Sequence, residues 1–136
     1  MSEEIIRELY LLTLKAIKKD EVPIACIITK NNKIISKAYN QKIRKKDPTA
    51  HAEILAIKKA CKKLKTWNLN DCKLYVTLKP CEMCESVMKE ARIKKIYYII
   101  ENNKVVNNNM IITKNKNQMI ESKFSNILST FFKNKR

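Results

Sequence analysis

The chain of 136 residues predicts an α/β fold: a mixed central β-sheet with helices on both faces, in three layers. Two observations lead there. Apolar spacing switches repeatedly between the helical and the alternating period, giving the order α-β-β-α-β-α-β and then a last helix. A short turn separates the first two strands, whereas a helix separates the later two, so an antiparallel hairpin joins a parallel pair.

Residues 3–19 carry Ile5, Ile6, Leu9, Leu12, Ala16 and Ile17 at helical spacing, and Pro23 follows the helix. Residues 24–29 and 33–39 are β-rich runs, and Lys30-Asn31-Asn32 links them as a hairpin. A basic loop, Lys42 to Lys46, ends at Asp47-Pro48-Thr49. A second helix over 50–64 sets Ile54, Leu55, Ile57, Ala60, Cys61 and Leu64 on its apolar positions. Residues 73–78 read as a strand, and a third helix begins near Cys81 and ends near Ala91. Residues 96–100 form a strand apolar enough to be buried on both faces. The Asn/Lys-rich stretch 101–118 carries no predicted element, and the last helix, 119–134, sets Ile120, Phe124, Ile127, Leu128, Phe131 and Phe132 on its apolar positions. With no repeat and no linker, residues 1–136 suit one domain with one core.

No apolar run approaches the roughly 18 to 20 residues that span a bilayer, and the acidic start Met1-Ser2-Glu3-Glu4 does not resemble a signal peptide. A cytoplasmic protein without membrane partners is expected. Five cysteines, an odd number, argue against a disulfide framework, so Cys81 and Cys84 read as metal-binding or redox residues. The formal charge of +16 favours a polyanionic partner, because neutralised phosphates release counterions. Biased coding, rich in Lys, Asn and Ile, is the other source of that excess. Glycine is absent. Asn31-Asn32, Asn68, Asn70, Asn102-Asn103 and Asn107-Asn108-Asn109 are therefore expected to take turns that need positive φ.

Catalytic zinc needs three protein ligands and one open position for water. His51, Cys81 and Cys84 can supply the three. Cys81 and Cys84, at i and i+3, share one side of a helix's first turn. That turn aims unpaired N–H groups and the positive end of the helix dipole at the sulfurs. Pro80 cannot donate a backbone hydrogen bond and favours an extended residue before it, so the strand stops cleanly ahead of the turn. Glu53 follows His51 by two residues at a helix entrance, where it can reach a water on the metal without ligating it. Zinc makes such a water acidic, and a carboxylate beside it can move protons from water to substrate. His-x-Glu preceding Pro-Cys-x-x-Cys is the signature of zinc deaminases acting on nucleobases. A closed structural site with a fourth cysteine is the alternative. Cys61 lies about 15 Å along the helix from His51 and cannot join, whereas spacing leaves Cys26 and Cys72 open. A redox Cys-x-x-Cys leaves His51 and Glu53 unexplained.

The chain resembles the bacterial tRNA-specific adenosine deaminases of the cytidine-deaminase superfamily. The likeness runs from Glu21 to Ile100 and is densest in Glu21-Val22-Pro23-Ile24, in residues 47–54 and in residues 74–84. It returns in Phe131-Phe132-Lys133-Asn134-Lys135-Arg136. The resemblance implies a cytidine-deaminase-like fold and one zinc per subunit held by His51, Cys81 and Cys84, with Glu53 as proton shuttle. It implies conversion of adenosine to inosine at the wobble position of a tRNA anticodon, typically tRNA-Arg, by a homodimer. Asn40 matches the asparagine that hydrogen-bonds the target base. The backbone N–H groups of Ala52 and Cys81 are expected as partners for the base or the hydroxide, with Pro80 also beside the substrate. Phe131 and Phe132 could stack beside the anticodon stem-loop while Lys133, Lys135 and Arg136 meet phosphates. Read plainly, the same tail is one core phenylalanine and a solvated basic end.

Some positions depart from the family. Ala25 and Ser86 stand where glycine is usual, and Glu101-Asn102 replaces a usual Arg-Asp after the strand. Asn102 removes a charge near the substrate backbone, so altered discrimination between RNA and DNA is expected there. Two rivals remain: a free-base deaminase acting on guanine or cytosine, which shares the metal core, and a non-catalytic RNA-binding subunit, against which the presence of Glu53 argues.

Overall fold

The computed structural model describes residues 1–101 and 110–134. Helix α1 (Glu3–Lys18) is capped by Ser2, whose side chain accepts the Ile5 N–H at 3.2 Å. Glu3 and Glu4 in its first turn and Lys15 and Lys18 in its last complement the helix dipole. Strands β1 (Ala25–Lys30) and β2 (Lys33–Tyr39) pair antiparallel. The two residues between them, Asn31 and Asn32, both have positive φ (53° and 62°), as the tightest hairpin turns require. Helix α2 (Ala52–Leu64), strand β3 (Cys72–Leu78), helix α3 (Glu82–Glu90), strand β4 (Lys95–Ile100) and helix α4 (Gln118–Asn134) follow within a residue or two of expectation.

One strand was not foreseen. Residues 101–118 were expected to lack an element, yet β5 (Ile111–Lys114) adds to the sheet edge parallel to β4. It is four residues long and only half-covered. The neighbouring strand supplies the pairing that its own sequence does not announce.

The sheet order is β2-β1-β3-β4-β5, with β1 antiparallel to β2 and β3, and β3, β4 and β5 parallel. Strand alternation sorts the core into two layers. Cys26, Ile28, Leu74, Val76, Ile96 and Tyr98 face α2 and α3 with Ile54, Ala56, Ile57 and Met88. Ala25, Ile27 and Ile99 face the other way, onto Ile5, Leu9 and Phe124 of α1 and α4. Leu74, Val76 and Ile96 are fully buried, each contributing about 1.5–3 kcal/mol. Ala25, one of the two residues standing for glycine, is enclosed in β1 and its N–H donates to Thr77 Oγ1 at 3.1 Å. Ser86 is exposed and donates to the Glu82 carbonyl at 3.0 Å.

Asparagine carries less of the missing glycine's work than expected. Among the described residues, Asn31 and Asn32 share positive φ with Asp20, Lys46, Lys65 and Arg92. Lys65 ends α2 in the left-handed conformation, its N–H closing on the Cys61 carbonyl. That position costs a residue with a Cβ roughly 1–2 kcal/mol. Asn68 acts through its side chain instead, accepting the Asn70 N–H at 3.0 Å. Asn102, Asn103 and Asn107 to Asn109 lie outside the described residues.

Candidate active site

The site forms where β3 ends and two helices begin. Cys81 occupies the position before α3, and His51 the position before α2; neither side chain caps its helix. Both N-termini therefore point toward the space between them, with Cys84 one turn into α3. The Lys79 N–H donates to the Ile100 carbonyl at 3.0 Å, locking the ends of β3 and β4 together just before Pro80.

His51 Nδ1 lies 3.7 Å from Cys81 Sγ and 3.5 Å from Cys84 Sγ. One ligand atom from each of the three lies within 4.8 Å of the others, and among the described residues this is the group that could hold a metal ion. Cys26 and Cys72, left open by spacing as a fourth ligand, do not belong to it. All five cysteines are free. Burial lowers the His51 imidazole's pKa, helped by Lys42, so the ring favours its neutral, metal-binding form. Burial drives the Cys84 thiol far above its usual range, and the Glu53 carboxylate and Cys81 push the same way.

Glu53 is 4% exposed, and its Oε1 has no protein hydrogen-bond partner. Burial raises its carboxyl pKa, with its own backbone N–H and the Cys84 thiol pulling back. Glu53, His51, Cys81 and Asn40 line one small cavity of about 90 Å³ together with Ile24, Leu78 and Lys79. At about 30 Å³ per liquid water, it has room for about three waters or the edge of a ring, not a whole nucleoside.

Asn40 has a structural task that the sequence did not disclose. Its Oδ1 accepts the Ala52 N–H at 2.7 Å, while its own N–H donates to the Ile24 carbonyl at 3.0 Å. It thus caps α2 from twelve residues away, where His51 cannot. The Ala52 N–H, expected beside base or hydroxide, is held by Asn40 in this structure. With Oδ1 engaged, the amide group of Asn40 is the part left to face the cavity. Pro80 is buried and shapes the turn ahead of α3, while its neighbours Lys79 and Cys81 line the cavity. Ile24, Leu78 and Lys79 were not anticipated as lining residues; no local motif marks them, because they meet where β1 starts and β3 ends.

The loop from Asn40 to His51 is pinned from beneath. Glu21, 1% exposed, accepts the N–H of Ile43 at 3.0 Å and of Arg44 at 2.7 Å. Asp47 Oδ1 accepts the Thr49 N–H and hydroxyl at 2.9 and 2.7 Å, which lowers the Asp47 pKa. Phe131 and Phe132 pack edge-to-face, 5.6 Å apart. Phe131 is half-buried, while Phe132 is 51% exposed and Lys133 is exposed. Phe131 shares a groove with Ile17 and Asp20 at the end of α1. Since Glu21 follows at once, the tail lies at the site's end of the sheet, on its opposite face. Asn102, Lys135 and Arg136 lie outside the described residues.

The family of MafB19-like deaminases matches residues 1–136. The chain belongs to that family. A tRNA-specific adenosine deaminase of Buchnera aphidicola subsp. Baizongia pistaciae is 39% identical over 127 residues, covering 85% of this chain and 78% of that protein. The chain spans from 52% to 83% of the length of the bacterial proteins of that description it matches, and 56% of the one from Aquifex aeolicus. A solved structure from work on A-to-I editing by tRNA:A34 deaminases at the wobble position superposes with a TM-score of 0.85 at 28% identity, over 93% of this chain and 100% of that one. The guanine deaminase of Bacillus subtilis superposes at 0.68 with 36% identity, over 74% and 66%. The deaminase family and its cytidine-deaminase-like fold are thus both expectations that hold. Among the described residues, no helix is long and apolar enough to cross a membrane.

Proposed function

We propose that this chain, as one domain, performs hydrolytic deamination of adenosine to inosine at the wobble position of a tRNA anticodon, with tRNA-Arg as the expected substrate. The carrying observation is one cavity that joins a His/Cys/Cys cluster to a buried carboxylate with an unpartnered oxygen. The donor set suits zinc. A tetrahedral ion with ordinary zinc–sulfur and zinc–nitrogen bonds would hold nitrogen and sulfur about 3.6 Å apart, against the 3.5 and 3.7 Å between His51 and the two cysteines.

His51, Cys81 and Cys84 would hold the ion, which when bound makes water acidic enough to act as nucleophile near neutral pH. Glu53 takes one proton from water and delivers it to the purine ring nitrogen, then carries water's second proton to the leaving amine, so ammonia departs and inosine keeps water's oxygen. Its raised pKa suits a group that must both accept and return a proton. Asn40, fixed at Oδ1 by Ala52, turns its amide hydrogens to acceptors on the base edge. Ile24 and Leu78 give the ring apolar walls. The cavity admits the base edge and leaves sugar and phosphates outside, where Lys42 to Lys46 and the Phe131-Phe132-Lys133 tail offer cations and stacking surface, and Lys135 and Arg136 are kept as candidates for phosphate contact. A cytoplasmic homodimer belongs to this reading and rests on the family resemblance; light scattering tests the dimer. Asn102 is kept as the point where RNA and DNA are told apart, tested by turnover on an anticodon stem-loop and its deoxy counterpart before and after Asn102→Asp.

Incubation with an ACG anticodon stem-loop should yield inosine, and a zinc chelator should abolish it. The second reading, a guanine deaminase, is favoured by the Bacillus subtilis likeness and the small cavity. Turnover of free guanine with none on the stem-loop would replace the first reading with the second.

A further inference from the structure

Lys79 is the one lysine or arginine among the described residues that line the cavity. Its Nζ lies 3.4 Å from Glu101 Oε1 and 5.8 Å from the centre of the Tyr98 ring. The pair is unequally held. Tyr98 Oη donates to Glu101 Oε2 at 2.6 Å, a short, strong bond that steadies the carboxylate. The lysine contact is longer than the roughly 2.7–2.9 Å of a charge-assisted hydrogen bond. The Lys79 backbone is fixed by its bond to Ile100, so only its flexible stem is free to swing. The lysine side chain is 21% exposed and its partner's 37%, a wet setting in which an ion pair adds little.

A cationic residue in the wall of a nucleobase cavity has little to do for a neutral free base. It has much to do for a nucleotide whose base enters while its phosphate stays outside. We propose that Lys79 is a specificity-determining residue that leaves Glu101 to bind a backbone phosphate flanking the target nucleotide. The inference rests on the polynucleotide reading above. Glu101 then acts as a placeholder for that phosphate, holding the ammonium until substrate arrives.

The test combines a protein change with a substrate change. Deamination of an anticodon stem-loop is measured for wild type, Lys79→Gln and Lys79→Arg from about 50 to 200 mM salt. The same is done on a stem-loop carrying uncharged methylphosphonates on both sides of the target nucleotide. On the normal substrate, Lys79→Gln should flatten the slope of log kcat/KM against log salt by about 0.7, the value for one phosphate on a single strand. KM should change more than kcat, and Lys79→Arg should keep the slope. On the neutralised substrate, wild type should lose at least the same slope, and Lys79→Gln should add no further loss. Equal, additive losses from the two changes would overturn the assignment, as would an unchanged slope for wild type on the neutralised substrate, a readout that does not depend on any variant folding. Wild type inactive on every stem-loop would bring down the polynucleotide reading itself, and the Lys79 assignment with it.

Discussion

Removing the buried carboxylate beneath the 41–47 loop tests the architecture of the site without touching its metal cluster. Glu21 receives two backbone N–H groups, from Ile43 and Arg44. A hydrogen bond to a charged acceptor is worth about 1.5–3 kcal/mol net, so two would give about 3–6 kcal/mol. Ile43 is 61% exposed, and its freed amide and that of Arg44 can recover part of this from water. Glu21→Ala should therefore cost about 2–4 kcal/mol, or a fall in Tm of about 10 °C for a chain of this size. Glu21→Gln keeps one acceptor and turns a donor toward the other amide, so it should lose about half as much. Urea denaturation gives the free energy, and amide exchange locates it. Exchange should quicken at Ile43 and Arg44 first. Metal content should hold, because the loop joins Asn40 to His51 and the Gln41 N–H to Ala50 carbonyl bond of 3.0 Å still closes its base. A loss below about 0.5 kcal/mol, the scatter of an ordinary surface change, with unaltered exchange at both amides, would refute the clamp.

Asn40 separates capping from recognition. Asn40→Asp keeps an acceptor for the Ala52 N–H and should preserve stability while losing most deamination; Asn40→Ala should also lose about 1 kcal/mol in denaturation, and an active Asn40→Asp would end its assignment to the base. Glu53→Gln should lower inosine formation by about 10²-fold or more with zinc still bound by elemental analysis; an active variant would remove Glu53 from proton transfer. Dialysis against a strong chelator should lower both Tm and activity, and Cys84→Ser should prevent zinc from restoring them, whereas full zinc content in that variant would refute the ligand set. Phe132→Ala should leave Tm nearly unchanged, since the ring is 51% exposed, but raise KM for a stem-loop by an amount equivalent to about 1–3 kcal/mol of stacking; an unmoved KM would return the tail to a solvated helix end.

The sequence disclosed what is local. His51 and Glu53, and Cys81 and Cys84, sit at fixed offsets around helix starts, so the cluster and its buried acid could be read before any fold was known. Periodicity located four helices and four strands, because each carries its own apolar pattern. β5 escaped because four half-covered residues depend on their neighbour for pairing. The Asn40 cap and the Glu21 clamp escaped because their partners lie 12, 22 and 23 residues away. Ile24, Leu78 and Lys79 escaped for the same reason: the start of β1 meets the end of β3, a neighbourhood that no short motif encodes. Asn31 and Asn32 take positive φ as expected, whereas the left-handed positions at Asp20, Lys46, Lys65 and Arg92 carry no residue type that marks them in the sequence.

Two helices that begin at one point set like poles against each other. The starts of α2 and α3 each carry about half a positive charge, and neither His51 nor Cys81 offers a side-chain cap to offset it. Acidic side chains stand in both first turns instead, Glu53 in α2 and Glu82 and Glu85 in α3, and Asn40 caps α2 from outside the helix. The three residues that would hold an ion come from these two helix starts alone. A bound ion would therefore also tie α2 to α3, so replacing either cysteine should loosen the seam between the helices as well as the grip on the ion.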